Sequence, residues 1–175
     1  TGRIGRTVLQ HLSGFGCRLL AYDLYPNDEV KKIAEYVPLE TLLKECDVIT
    51  LHTNATAENH HLIDAKAIET MKPGAVIINT ARGKLIDSDA LIAGLESGKL
   101  GGAALDVLEN ENGLYYYNRM GDVIPNPELA ALRSMPNVIL TDHTAFYTEE
   151  DVESMVRGVL ESADAFAKGQ PTRHD

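Results

Sequence analysis

The sequence predicts an α/β fold, a parallel sheet covered by helices, and two observations carry that prediction. Short continuous apolar runs alternate with segments of helical period, the pattern of strand-helix-strand units whose strands are buried on both faces. The chain also opens on Thr1-Gly2-Arg3-Ile4-Gly5, the second half of a G-x-G-x-x-G turn, in which backbone N–H groups at a helix start hold phosphates. Together they specify a doubly wound sheet of the Rossmann type. It is expected to be truncated at its N-terminus, without the first strand and first glycine of the dinucleotide loop.

The elements follow in order. A helix over Ile4 to Ser13 succeeds the glycine turn, and Arg18 to Tyr22 is an apolar run that reads as a strand ending at Asp23. A weak strand is expected over Glu35 to Val37, a helix over Leu39 to Lys44, and a strand over Asp47 to Leu51. Asp64 caps a helix over Ala65 to Met71, and the branched run Ala75 to Asn79 is a strand. Asp87 caps Ser88 to Ser97, which Gly98 stops as the left-handed residue past its end. Gly102 to Val107 and Val138 to Thr141 complete the strands. From Glu109 to Pro127 the pattern breaks into a polar, tyrosine-rich stretch, too long for a simple connection and expected as a surface loop beside the site. Thr148-Glu149-Glu150-Asp151 is a cap with acids in the first turn. It opens an amphipathic helix to about Lys168, and Pro171 to Asp175 are expected to fray.

A chain of 175 residues that is 44% hydrophobic can bury a core of its own. Its net charge of -10 argues against a nucleic-acid partner, which needs a basic footprint. No run reaches the roughly 18 apolar residues of a membrane span. Cys17 and Cys46 have no metal-binding spacing and are expected as buried thiols in a reducing compartment, the cytoplasm.

Three polar residues stand just past predicted strands, where open α/β sheets bind their ligands. Arg82 ends Asn79-Thr80-Ala81-Arg82-Gly83, Glu111 follows Asp106 by five residues, and His143 follows Thr141-Asp142. A guanidinium holds a carboxylate through two parallel donors, and an imidazole passes a proton near neutral pH. A carboxylate beside that imidazole favours its charged form. The set suits hydride transfer to a small keto acid. A plain alternative for Glu111 is a solvated acidic loop shared with Glu109. Eighteen residues past Gly5, Asp23 ends an apolar run at the offset where a carboxylate binds the adenosine ribose. It favours NAD over NADP, whose extra phosphate it repels. His52 is expected to line the pocket rather than react, and His11 and His174 to be exposed. His60 and His61 are adjacent and cannot share a helix face, so no metal site is expected.

These residues resemble the NAD-dependent D-2-hydroxyacid dehydrogenases, within them the D-lactate dehydrogenase branch. The matching stretches are Thr1 to Gly5, Asn79 to Gly83, Gly101 to Val107, Pro136 to Leu140 and His143-Thr144-Ala145-Phe146-Tyr147-Thr148. The aromatic pair after His143 is the most specific. The resemblance implies that Arg82 binds the substrate carboxylate, His143 is the acid/base and Glu111 its partner. It adds Arg3 and Ile4 at the pyrophosphate, Thr53, Asn54 and Asn59 beside the cofactor, and Thr80 and Asp106 near the nicotinamide. It implies an NAD-binding domain over residues 1–147, a helix over 148–175 that packs on a substrate domain absent from this chain, and a homodimer. Asn54 and Asp142 stand where the family usually has proline, and an acid beside His143 is expected to raise its pKa further or retune the pH optimum. Rival readings are a nucleotide-sensing regulator on the same scaffold, or an inactive fragment.

Overall fold

The computed structural model describes residues 1–171. The rest of the expected frayed tail, His174 included, lies outside the described residues. The chain divides into two compact units, Thr1–Asp142 and the residues from His143 onward.

The first unit opens with α1 (Arg3–Leu12), β1 (Leu20–Ala21), β2 (Glu35–Tyr36) and α2 (Leu39–Glu45). There follow β3 (Val48–Leu51), α3 (Ala65–Thr70), β4 (Ala75–Asn79), α4 (Ser88–Glu96), β5 (Leu100–Leu105), α5 (Pro127–Ser134) and β6 (Val138–Leu140). All strand pairs are parallel, as the alternation of elements requires. They form two sheets rather than one: β1 pairs with β2, and β3-β4-β5-β6 make a second sheet in that order.

Strand β4 lies inside the larger sheet, with Ala75, Ile77 and Asn79 buried. Ile77 joins Ile49, Ile68, Leu91, Leu95, Leu105, Leu129 and Leu132 in one core. A smaller cluster of Ala21, Val30 and Ala34 sits with β1 and β2. At about 25 cal/mol per Å² of apolar surface, burial of this core is the main favourable contribution to folding. The side chains of Asp64 and Asp87 accept from the N–H groups of Ala67 and Ala90, the expected caps. Gly98 takes the left-handed φ of +74° that ends α4.

The sequence reading missed α5. Asn126 caps it, accepting from the Leu129 N–H at 2.7 Å, and Pro127 supplies the pre-set φ of a first helical residue. Cys17 is exposed, against expectation, because it follows the short helical turn after α1 rather than a core strand; Cys46 is part-buried, and both are free thiols. β5 starts two residues early, at Leu100, and β1 is shorter than Arg18 to Tyr22.

The second unit contains α6 (Glu149–Ala167), capped by Thr148, whose hydroxyl accepts from the Asp151 N–H. None of its residues is buried, and Met155, Val156, Val159, Leu160 and Phe166 are exposed. Among the described residues no helix is long and apolar enough to cross a membrane.

Candidate active site

Parallel pairing brings four strand ends level. Leu51 pairs with Asn79, Asn79 with Leu105, and Leu105 with Leu140. The chain leaves this row through His52-Thr53, Thr80-Ala81-Arg82, Asp106 to Glu111, and Thr141-Asp142, so the predicted groups of the first unit stand along one edge of the sheet.

Asn79 organises the Arg82 turn. It is 1% exposed, and its Oδ1 accepts from the Ala81 N–H at 3.0 Å while its Nδ2 donates to the Arg82 carbonyl at 2.9 Å. A buried amide left unsatisfied costs about 1–3 kcal/mol, so this closed pair fixes the backbone that carries the guanidinium. Arg82 itself is exposed and donates to the Ala81 carbonyl at 2.6 Å.

Gly83 then lets the next loop approach. A Cβ there would sit 2.0 Å from the carbonyl carbon and oxygen of Leu108 and 2.4 Å from the Glu109 nitrogen. The Arg82 turn and the Glu111 loop are therefore in backbone contact. Within that loop the Glu111 carboxylate accepts from the Leu108 N–H at 2.8 Å, and its carbonyl accepts from the Leu114 N–H. Asp106 is buried and accepts from the Thr141 hydroxyl at 2.5 Å, tying the ends of β5 and β6 together.

Tyr115, from the tyrosine-rich stretch, is part-buried here, and its hydroxyl lacks a hydrogen-bond partner among the described residues. Burial, with the charges of Asp142, Glu111 and Asp106 nearby, pushes that hydroxyl up to about 12. Asp142 pairs with Arg133 at 2.7 Å, so its charge is compensated, which the sequence reading of an uncompensated acid beside His143 did not foresee. His143 opens the second unit, part-buried and in the left-handed region at φ 53°.

The residues expected at the nucleotide stand at the start of α1 and at the ends of β1, β3 and β4. Gly2 is the N-cap of α1, with open space around it, and Arg3 and Ile4 are exposed at the first turn. Gly5 is buried, its missing Cβ leaving 3.5 Å to the Cβ of His52. Thr1, just before the turn, donates its hydroxyl to Asp23 at 2.8 Å and accepts from the Tyr36 hydroxyl at 2.6 Å. Asp23 also accepts from the Tyr25 N–H at 2.9 Å. Burial pushes the His52 imidazole down, and its Nε2 lies 2.9 Å from the Thr50 hydroxyl. Thr53, Asn54 and Thr80 are exposed at the strand ends. Asn59 closes the Asn54 loop, donating to the Asn54 carbonyl and accepting from the Thr56 N–H, both at 2.7 Å. A helix start with free N–H groups, an uncluttered glycine and a strand-end carboxylate one contact away fit a dinucleotide.

Sequence reasoning missed Asn79 and Tyr115, of which Asn79 carried a signal as a polar residue on the buried phase of an otherwise apolar strand; the glycine after Arg82 reads from sequence as a close approach to a ligand, and the structure shows it meeting the Leu108–Glu109 backbone.

Residues 1–145 match the family described as D-isomer specific 2-hydroxyacid dehydrogenase, NAD binding domain. An aromatic 2-oxoacid reductase from Clostridium sporogenes is 47% identical over 167 residues, which make up 95% of this chain and 50% of that protein. A D-lactate dehydrogenase from Escherichia coli is 43% identical over 171 residues, 97% of this chain and 52% of its own length. The crystal structure of a D-lactate dehydrogenase from Treponema pallidum matches with a TM-score of 0.94 at 41% identity, covering 99% of this chain and 52% of that one. The chain spans about half the length of the curated relatives it matches.

Proposed function

This chain belongs to the D-isomer specific 2-hydroxyacid dehydrogenases, matching their NAD-binding domain, and from that premise we propose that the intact protein reduces pyruvate, or a near homologue of it, to the D-2-hydroxy acid. The observation that carries the reading is the contact at Gly83, which holds the Arg82 turn against the loop of Glu111 at the carboxyl edge of a parallel sheet. Arg82 grips the substrate carboxylate with its planar pair of donors. His143 gives its proton to the keto oxygen as the carbonyl carbon is reduced, and takes it back in the reverse direction. Glu111 is the partner of that imidazole in this reading. NADH, when bound, supplies the hydride. Gly2 and Gly5 form the turn that brings Arg3 and Ile4 to its pyrophosphate, Asp23 takes its ribose, Thr53, Asn54 and Asn59 stand beside it, and Thr80 and Asp106 lie near its nicotinamide.

The same reading makes the intact protein a cytoplasmic homodimer, in keeping with two free thiols. Residues 1–147 form the nucleotide domain, and α6, with its exposed apolar residues, packs on a substrate domain. Adding pyruvate to the intact protein with NADH tests the proposal through loss of NADH absorbance. A nucleotide-sensing protein on this scaffold binds NADH without consuming it, and that result overturns the reading.

A further inference from the structure

Away from the groups assigned to the reaction, His60, His61 and Glu109 bring three metal-ligating atoms within 4.8 Å of one another. Both imidazoles address the same carboxylate oxygen: His61 Nε2 lies 2.7 Å and His60 Nε2 3.7 Å from Glu109 Oε1. Adjacent histidines were set aside because they cannot share a helix face, but this pair is in a turn. The left-handed backbone at His61, φ 53°, allows the two rings to stack, their centroids 3.9 Å apart.

The frame around the cluster is fixed. The His61 N–H donates to the Lys84 carbonyl at 2.9 Å, and the Ile63 N–H to that of Leu85 at 3.0 Å. Glu109 leaves a buried stretch, Val107-Leu108, and Gly83 packs on its backbone nitrogen. Behind His61, Asp87 Oδ2 stands 3.6 Å from Nδ1, while the other Asp87 oxygen caps α4. Closing that gap by a few tenths of an ångström lets Nδ1–H donate to Asp87, the arrangement that leaves Nε2 open to a metal. The side chains of His60, His61 and Glu109 are 48%, 30% and 17% exposed, which leaves an ion a way in and room for water.

We propose that His60 Nε2, His61 Nε2 and the Glu109 carboxylate bind a divalent transition ion of the zinc class, with water completing the shell. Two nitrogens and one carboxylate are a donor set that zinc takes with one position left for water. Metal–ligand bonds of about 2.0–2.2 Å put tetrahedral ligands roughly 3.3 Å apart. The 3.7 Å separation is already close to this, and the 2.7 Å one opens to it by a small rotation of Glu109. The ion ties the His60–His61 turn to the loop that two residues later carries Glu111. The site does not depend on the proposed reaction.

The test is a competition titration of zinc against a chromophoric chelator on the intact, metal-stripped protein, with thermal unfolding alongside. The parent is expected to bind one ion per chain and to gain thermal midpoint with zinc. His60→Ala and Glu109→Gln are expected to weaken binding about tenfold or more and lose the gain; His11→Ala, an exposed histidine on α1, is expected to match the parent. His60 makes no hydrogen bond to Glu109, so His60→Ala reads metal binding even where His61→Ala fails to fold. Absence of binding at one ion per chain in the parent, or binding undiminished in both His60→Ala and Glu109→Gln, overturns the proposal.

Discussion

Replacing Gly83 with alanine strikes the contact on which the reading of the site rests. The added carbon falls 2.0 Å from the Leu108 carbonyl and 2.4 Å from the Glu109 nitrogen, all backbone atoms. Ordinary carbon contact begins at about 3.5 Å, so the two loops must part by roughly 1.5 Å. No side-chain rotation relieves this. The separation breaks the 2.7 Å His61–Glu109 contact and draws the Glu111 loop from the Arg82 turn. Overpacking of this kind costs about 1–3 kcal/mol, a fall in thermal midpoint of roughly 2–10 °C for a domain of this size. Misplacement of catalytic groups by about 1 Å costs on the order of 100-fold in rate. Calorimetry and steady-state kinetics of the intact protein measure both, with Gly14→Ala as control because nothing lies within 4 Å of its Cβ position. A Gly83→Ala protein with the parent's midpoint and kcat/KM refutes the argument that backbone contact assembles the site.

Three further substitutions test neighbouring parts. Tyr115→Phe removes a buried hydroxyl without a hydrogen-bond partner among the described residues, so urea unfolding should show a change between zero and about 1 kcal/mol of added stability; a loss of more than about 1 kcal/mol contradicts the assignment. Burial lowers the His52 pKa in the folded state. The unfolded chain therefore takes up the proton first as pH falls below about 6.5, and stability declines from there toward the folded value. His52→Gln should flatten that decline in urea midpoints between about pH 7 and pH 5, and an unaltered slope argues against it. Asp23→Ala should raise the KM for NADH about fivefold and narrow its advantage over NADPH, since a ribose hydrogen bond is worth about 1 kcal/mol and a phosphate is no longer repelled. An unchanged cofactor preference removes Asp23 from the ribose.

What the sequence made legible was governed by local rules. The branched run Ala75 to Asn79, the Asp64 and Asp87 caps and the Gly98 stop each follow from a few neighbouring residues, and each appears where expected. Helix α5 was missed because its Asn126-Pro127 start lies at the end of a polar stretch, where the cap signal is hard to separate from turn chemistry. Arg82 could be singled out from its strand-end position, but the Asn79 side chain that holds its turn could not, since the bonds run back to the main chain of the turn itself. Gly83 has its meaning only in the backbone of Leu108 and Glu109, more than twenty residues away in sequence. His60 and His61 lie in a turn, where helix periodicity does not apply and one left-handed residue stacks neighbouring rings. Asp142 likewise drew attention as a charge beside His143, while Arg133, its partner, stood in the helix that was missed.

The proposed reaction divides between a proton donor and a carboxylate clamp, and kinetics of His143→Gln and Arg82→Gln in the intact protein separate the two. His143→Gln should lower kcat for pyruvate reduction by about 100-fold or more with little change in KM, because proton transfer acts in the transition state. Arg82→Gln should mainly raise the KM for pyruvate, because the guanidinium binds substrate before reaction. Parent kinetics in both variants, or the same change in each, contradicts the account.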